Sequence, residues 1–303
     1  MTMLPASPSA AAAAATAAEV TAAAPPQAAL QARRWHIPGF VRTSIGLHAA
    51  AGAALWWPGA WPWAAGAVVL NHVALTAAGL WPRSSLLGPN VNCLPRSAAQ
   101  RGEIAITLDD GPDLEVTPAV LDLLAAIGLR VSFFCIAERA RAQPLLMRRI
   151  VAAGHSVQNH SRHHRHSFSL LGPRALRREI AGAQDVLADL CGVRPFCFRA
   201  PAGLRNALLD PVLHDLGLHL VSWTRRAYDT RQSDPRAVLQ RLGVGLGAGS
   251  ILLLHDGHAR RTAQGQPVLM EVLPALLQLC QAQGLRPVTL TDALPPRGAG
   301  AGA

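Results

Sequence analysis

Two adjacent carboxylates open the chemistry of this sequence: Asp109 and Asp110 stand in the run Thr107-Leu108-Asp109-Asp110-Gly111-Pro112. The apolar residues before them read as a strand that Gly111 and Pro112 terminate. Neighbouring side chains there point in different directions, so one carboxylate is able to hold a metal ion while the other faces a bound water. Asp-Gly and Gly-Pro are also ordinary turn pairs, and a purely polar turn fits the same residues. Residues 159–166 hold four histidines, of which His160 and His164 alone stand at i, i+4. In a helical turn these two share a face and, with Asp110, make a three-ligand site with positions left open for water and substrate. The alternative is a solvated His- and Arg-rich loop. His163 and His166 have no comparable partner and read as surface residues or as supports behind the ligands. A third run, residues 251–256, ends a wholly apolar stretch in His255 and Asp256. A histidine there is either structural or, delivered beside a metal and a carboxylate, a general acid.

Elements able to position these groups recur from residue 101 onward. Apolar stretches rich in Ile, Val, Phe and Leu predict strands at 103–108, 130–136, 155–159, 195–199, 218–223, 250–255 and 286–290. Helical patterns lie between them at 118–127, 144–153, 174–191, 206–216, 235–246 and 267–283, several opening on Pro and closing near Gly. Such alternation predicts an α/β fold with parallel strands, either a barrel or a doubly wound sheet. Ionisable residues collect just past the strand ends: Asp109 and Asp110, the 160–166 tract, Arg199, the 223–229 loop, and His255 with Asp256. In a (β/α) barrel that rim is where active sites are built.

Of 303 residues, half are apolar and 15% charged, which excludes a disordered chain. The net charge of +10 carries no lysine at all. An Ala-, Arg-, Gly- and Pro-heavy chain of this kind reflects a GC-rich coding bias, so the charge is not read as a nucleic-acid signal. Five cysteines without CxxC spacing predict reduced, mostly packed thiols. Residues 1–42 read as a low-complexity tail with a basic end, and 292–303 as a disordered tail. Between Arg42 and Arg83 there is no charged side chain, and six of the seven Trp residues lie from Trp35 to Trp81. Residues 43–82 therefore predict a membrane segment, with apolar stretches at 43–57 and 60–81 forming one span or a two-helix hairpin. Residues 83–102 are expected as a linker and 103–291 as the catalytic domain. Arg on both flanks favours a hairpin with both ends in the cytoplasm.

The runs TLDDGP, HSRHH, FRAPAG and LLLHD occur in that order over about 190 residues. This pattern resembles the polysaccharide deacetylase family (carbohydrate esterase family 4, the NodB-homology domain), whose motifs are TFDDGP, H(S/T)xxH, RxPY, a D-W segment and LxH. The resemblance implies a distorted (β/α)7 barrel and metal-dependent removal of an acyl group, usually acetyl, from an aminated carbohydrate. It assigns Asp110, His160 and His164 to one divalent ion, commonly zinc. Asp109 becomes the general base, oriented by Arg199, and His255 the general acid, tuned by Asp229. The backbone N–H of Ala202 serves the oxyanion, Leu253 lines the acyl pocket, and Trp223 borders the substrate. Ala202 replaces the usual Tyr, and Thr230 stands where the D-W segment has Trp. Arg225 and Arg226 near the rim would suit an anionic substrate, such as a glycan on a lipid phosphate. Alternatives within reach of the resemblance are a deformylase or deacetylase of a lipid-linked sugar, or a non-catalytic glycan-binding relative. The location expected is a bacterial inner membrane, anchored from the N-terminal side; the flanking arginines and unpaired cysteines lean to a barrel at the cytoplasmic face, whereas the resemblance, through the family's frequent work on cell-wall glycans, points outside.

Overall fold

The computed structural model describes residues 34–296. Residues 1–33 and 297–303, most of the two expected tails, lie outside the described residues. The elements run α1 (Gly39–Ala54), α2 (Trp61–Leu80), α3 (Arg96–Gln100), β1 (Glu103–Asp109), α4 (Val116–Ala126), β2 (Ser132–Cys135), α5 (Ala137–Ala142), α6 (Pro144–Ala152), β3 (Ser156–Asn159), α7 (Pro173–Cys191) and β4 (Cys197–Phe198). They continue through α8 (Leu209–Asp215), β5 (His219–Leu220), β6 (Arg225–Arg226), α9 (Pro235–Gly243), β7 (Ile251–His255), α10 (Leu269–Ala282), β8 (Arg286–Val288) and α11 (Leu290–Ala293).

The strands form one parallel sheet in the order β5-β4-β3-β2-β1-β7-β6, with β8 added on β1. Strand β1 is the hub: Thr107 to Asp109 pair with β2, Glu103 to Ala105 with β8, and Ala105 to Asp109 with β7. The ends of the path, β5 and β6, are not paired with one another, so the barrel is distorted and open there. Residues 83–102, expected as a linker, enter this opening. Val91 bridges Val221 and Cys93 bridges Ser250, while Thr224 Oγ1 donates to the Asn92 carbonyl at 2.6 Å. Leu87, Leu94 and Ala98 of the same stretch are buried, while Cys93 stays exposed. A Pro- and Asn-rich stretch reads as a connector because its pairing partners are remote in sequence. At the other end of the chain a Thr289–Asp292 capping box builds α11, and Leu294 is buried.

Period-two alternation decides which side chains reach the chemistry. On β1, Ile104, Ile106 and Leu108 pack outward against the helices, while Ala105 faces inward and Thr107 and Asp109 share its face. On β7, Leu252 and Leu254 pack outward, and Leu253 and His255 fall on the inner face. The outer layer is closed by helices with one apolar stripe. In α7, Leu176, Ile180, Ala183 and Leu187 recur at helical spacing and are buried.

Helices α1 and α2 form an antiparallel hairpin held by a polar seam: Asn71 Nδ2 donates to Ser44 Oγ at 2.7 Å, and His48 and His72 approach at 3.4 Å. Among the described residues the 20-residue α2 is the one helix long and apolar enough to cross a membrane, with a mean hydropathy of 1.4 over its 18-residue apolar stretch. Both ends of the hairpin meet the barrel. Trp35 Nε1 donates to Asp210 Oδ2 at 2.8 Å, and the Arg205 N–H donates to the Gly79 carbonyl at 3.2 Å.

Candidate active site

The turn after β1 presents the two carboxylates divergently. Asp109 ends the strand on its inner face, and Asp110 adopts φ 71°, which swings its side chain toward the 160–164 loop. Gly111 is required next, because a Cβ there would collide with the Asp256 carboxylate. Asp256 is itself fully buried and takes a 2.5 Å hydrogen bond from Thr117 Oγ1. Burial, with Asp110 and Asp109 nearby, pushes its carboxyl up to about 7.

His160 and His164 come together, but through a loop rather than the expected helical turn. Ser161 (φ 68°) and His164 (φ 52°) are left-handed, and the turn is tied by Asn159 Oδ1 to the Ser161 N–H and Ser161 Oγ to the His164 N–H. These side-chain bonds supply locally what a helix would have supplied by i→i−4 pairing. His160 Nε2 then lies 3.2 Å and His164 Nε2 3.1 Å from Asp110 Oδ1. His160 Nδ1 is 2.8 Å from the Arg199 carbonyl, a pure acceptor, so Nδ1 carries the proton and Nε2 offers its lone pair. Asp110 Oδ1 is buried and has no hydrogen-bond partner, as a metal-ligating oxygen would be. The three ligand atoms lie within 4.8 Å of one another, and two imidazoles with one carboxylate fit a divalent transition ion.

The electrostatics fit the same occupant. Burial opposes a charged Asp110, but His160 and His258 hold its carboxyl well below the usual carboxylate range. Burial and the neighbouring His160 push His164 down to about 4, leaving a neutral imidazole. Burial also works against a charged His160, yet Asp109 and Asp110 raise it overall, so the cluster favours added positive charge.

Arg199 is buried beneath Asp109. Its Nη1 donates to Asp109 Oδ1 at 2.6 Å and to Thr107 Oγ1 at 2.8 Å, and its other donors reach the Val221 and Ser222 carbonyls. Its guanidinium stacks on Phe134 at 4.0 Å. Across β7, His255 Nδ1 lies 2.9 Å from Asp229 Oδ1, and the His255 N–H donates to Asp229 Oδ2 at 2.7 Å. Burial alone would lower the His255 pKa, but the hydrogen bond and charge of Asp229 raise it overall. Ala202 adopts φ 54° and its N–H makes no hydrogen bond to a protein acceptor among the described residues. Gly203 follows because a Cβ there would lie 2.6 Å from the Trp223 ring and 2.8 Å from Pro82.

One cavity of about 600 Å³ gathers Asp109, Asp110, His160, His164, Ala202, Trp223, Leu253 and His255, with Arg199 and Asp229 behind its wall. His166 lines it while remaining exposed, and Thr230 lines it in place of the family's Trp. His163 lines it too, with its Nδ1 2.9 Å from Glu179. Three contributors were not singled out from sequence. Arg139 donates to the Asp110 carbonyl at 2.7 Å, His258 approaches Asp110 Oδ2 at 3.4 Å, and Glu138 lines the rim. The third residue beyond a histidine that ends a strand, within LLLHDGH, was the available signal for His258.

Comparison with known proteins meets this geometry from the other side. The polysaccharide deacetylase family profile matches residues 96–221. A chitooligosaccharide deacetylase of Sinorhizobium fredii is 34% identical over 167 residues, covering 54% of this chain and 76% of that protein. A peptidoglycan-N-acetylglucosamine deacetylase of Bacillus cereus is 31% identical over 193 residues, covering 63% and 87% respectively. The family 4 carbohydrate esterase of Streptomyces lividans, solved in complex with acetate, superimposes with a TM-score of 0.57 at 31% identity, over 64% of this chain and 98% of that one. The fold and site thus define a metal-dependent hydrolase of the open-barrel type. The chain belongs to the polysaccharide deacetylase family, carbohydrate esterase family 4.

Proposed function

We propose that the cavity removes the acetyl group from an N-acetylated amino sugar within a glycan, with N-acetylglucosamine in peptidoglycan or chitooligosaccharides as the first substrates to test. The observation that carries this reading is the orphaned, buried Asp110 Oδ1 between two imidazole nitrogens, with separately held acid and base groups in the same cavity. Asp110, His160 and His164 hold one divalent ion, zinc by its preference for this donor set. When bound, the ion supplies a Lewis acid that polarises the acyl carbonyl and makes a water acidic. Asp109, oriented by Arg199, takes the proton from the attacking water. The Ala202 N–H donates to the oxygen that gains charge as the carbonyl carbon becomes tetrahedral. His255, held by Asp229, protonates the departing amine, and Leu253 packs against the acyl methyl group.

The test is acid release from a panel of N-acetylated glycans by the metal-loaded protein, with and without a chelator. Acetate release that stops on chelation and returns with zinc is the expected result. No release by a fully loaded protein overturns the reading.

A membrane-bound setting has its own support in the apolar α1–α2 hairpin, whose Trp56, Trp57, Trp61 and Trp63 are exposed. Pro82, at the end of that hairpin, packs beside Gly203 of the cavity wall. This proximity favours a second substrate, an acylated sugar carried on a membrane lipid. Formate rather than acetate as the released acid would identify the deformylase variant of the reaction.

A further inference from the structure

The two arginines that follow Trp223 are separated by the parity of a two-residue strand. Arg226 is the register partner of Leu253, and partners in a parallel sheet project to the same face. Arg226 therefore turns inward and lines the cavity, as Leu253 does. Arg225 turns away and donates from Nη2 to the Gly245 carbonyl at 3.2 Å. The guanidinium of Arg226 rests near the Trp223 ring (5.5 Å) and the Tyr228 ring (5.0 Å). Its Nε is buried with no hydrogen-bond partner.

Outside the Asp110–His160–His164 cluster, the other charged side chains around the cavity have partners. Asp109 has Arg199 at 2.6 Å, Glu138 has Arg162 at 2.7 Å, and Arg139 is engaged by the Asp110 carbonyl and His258. Arg226 makes ring contacts but has no acid or carbonyl partner among the described residues. Contact with the two rings restrains the guanidinium, and with no acid or carbonyl on it the terminal N–H donors are available to a carboxylate or phosphate. The small side chain of Ala202 leaves the approach open beside Trp223, which packs on Gly203.

We infer that Arg226 is a specificity-determining residue that binds an oxyanion, carboxylate or phosphate, carried by the sugar substrate on the Ala202–Trp223 side of the cavity. This deepens the proposed function and rests on it. The substrate class becomes an anionic N-acylated sugar. A carboxylate would come from a glycan unit such as N-acetylmuramic acid, and a phosphate from a sugar linked through its anomeric oxygen.

The test uses the full chain, metal-loaded, and three probes: neutral chitotriose, a muramic-acid-containing glycan fragment, and N-acetylglucosamine 1-phosphate. The readout is the ratio of kcat/KM on each charged probe to that on chitotriose. R226Q is expected to lower that ratio about 10- to 100-fold, the worth of one charge-assisted pair, and R226K to lower it less. R225Q should leave the ratio at its wild-type value. A fall confined to the glycan fragment assigns a carboxylate, and one confined to the sugar phosphate assigns a phosphate. An unchanged ratio in R226Q, or an equal fall in R225Q, overturns the inference. Should the wild-type protein hydrolyse none of the three, the proposed function fails and calorimetric binding of N-acetylglucosamine 1-phosphate still decides the role of Arg226. Weaker binding to R226Q than to wild type supports it, and equal binding refutes it.

Discussion

Asp109 and His255 are register partners at the C-terminal ends of β1 and β7, so the proposed base and acid stand side by side on neighbouring strands. Each is held from behind by a different buried group, Asp109 by Arg199 at 2.6 Å and His255 by Asp229 at 2.9 Å. A hydrolase needs one of these groups to accept a proton and the other to give one, and the two partners are of opposite charge. Burial depresses the His255 pKa, and Asp229 reverses that into a net rise. Removing the Asp229 charge leaves burial dominant, so Asp229→Asn should move the alkaline limb of the kcat–pH profile downward by about one to two pH units. The Asn amide keeps most of the shape, which separates this effect from collapse of the loop. A profile whose alkaline limb stays in place would detach Asp229 from the acid.

Metal binding and proton transfer should separate between the two adjacent carboxylates. Asp109→Asn is expected to keep the ion and lose about 10²–10⁴-fold in turnover, the usual worth of a positioned base. Asp110→Asn should lose both, as should His164→Ala, because a three-ligand site cannot spare a donor. His163→Ala should retain the ion, since its Nδ1 is turned to Glu179 at 2.9 Å. Metal content by elemental analysis of the purified variants decides this. Equal metal loss in the two Asp variants would make both carboxylates ligands.

How much of this was legible in the sequence varied by element. Strands β1 and β7 were readable because long apolar runs ending in ionisable residues leave few alternatives, and their inner-face residues follow by alternation. The pairing of His160 with His164 was readable as spacing but not as geometry. Left-handed turns at Ser161 and His164 depend on side-chain bonds from Asn159 and Ser161, which periodicity does not encode. Residues 91–93 were invisible as sheet because their partners, Val221 and Ser250, lie more than a hundred positions away. The division of labour between Arg225 and Arg226 was equally hidden, since a two-residue strand has no pattern of its own and its parity is set by β7.

A second pH dependence concerns folding and lies on the far side of the sheet. His155 Nδ1 accepts the Val131 N–H at 3.2 Å, and burial, with Arg130 nearby, pushes its pKa down to about 4. A group with a depressed folded pKa of this kind binds protons more readily when unfolded. Its contribution is present in full above the unfolded value of 6.5 and is lost as pH falls from there toward 4. The loss is of order 2 kcal/mol. His155→Asn keeps an acceptor for Val131 and does not titrate. Its Tm should therefore fall by about 4–8 °C less than that of the wild type between pH 7 and pH 4.5. Parallel curves for the two proteins would remove His155 from the acid sensitivity.

The hairpin makes the last prediction, because its two ends are fixed to the same region of the barrel. Trp35 reaches Asp210, and Gly79 at the end of α2 pairs with the Arg205 backbone, so α1 leaves the catalytic domain and α2 returns to it. At 1.5 Å per residue the 20 residues of α2 span about 30 Å, the thickness of a bilayer core, and the 16 of α1 about 24 Å. Trp56, Trp57, Trp61 and Trp63 are exposed at the tip, where a far interface would fall, and the Asn71–Ser44 bond ties the helices between. A single span would place the two chain termini on opposite sides of the membrane, whereas a hairpin places them on one. Arg42 and Arg83 stand at the barrel-facing ends of α1 and α2, and in a spanning hairpin the positive-inside tendency would make that side the cytoplasm. Reporters fused before Met1 and after Ala303, one pair active only inside and one only outside, should both read cytoplasmic. Termini on opposite sides would eliminate the hairpin, and both outside would overturn the orientation drawn from the arginines. A hairpin that inserts only its tryptophan tip keeps both termini together, but alkaline carbonate would then strip the protein from the membrane, whereas a spanning hairpin should resist it.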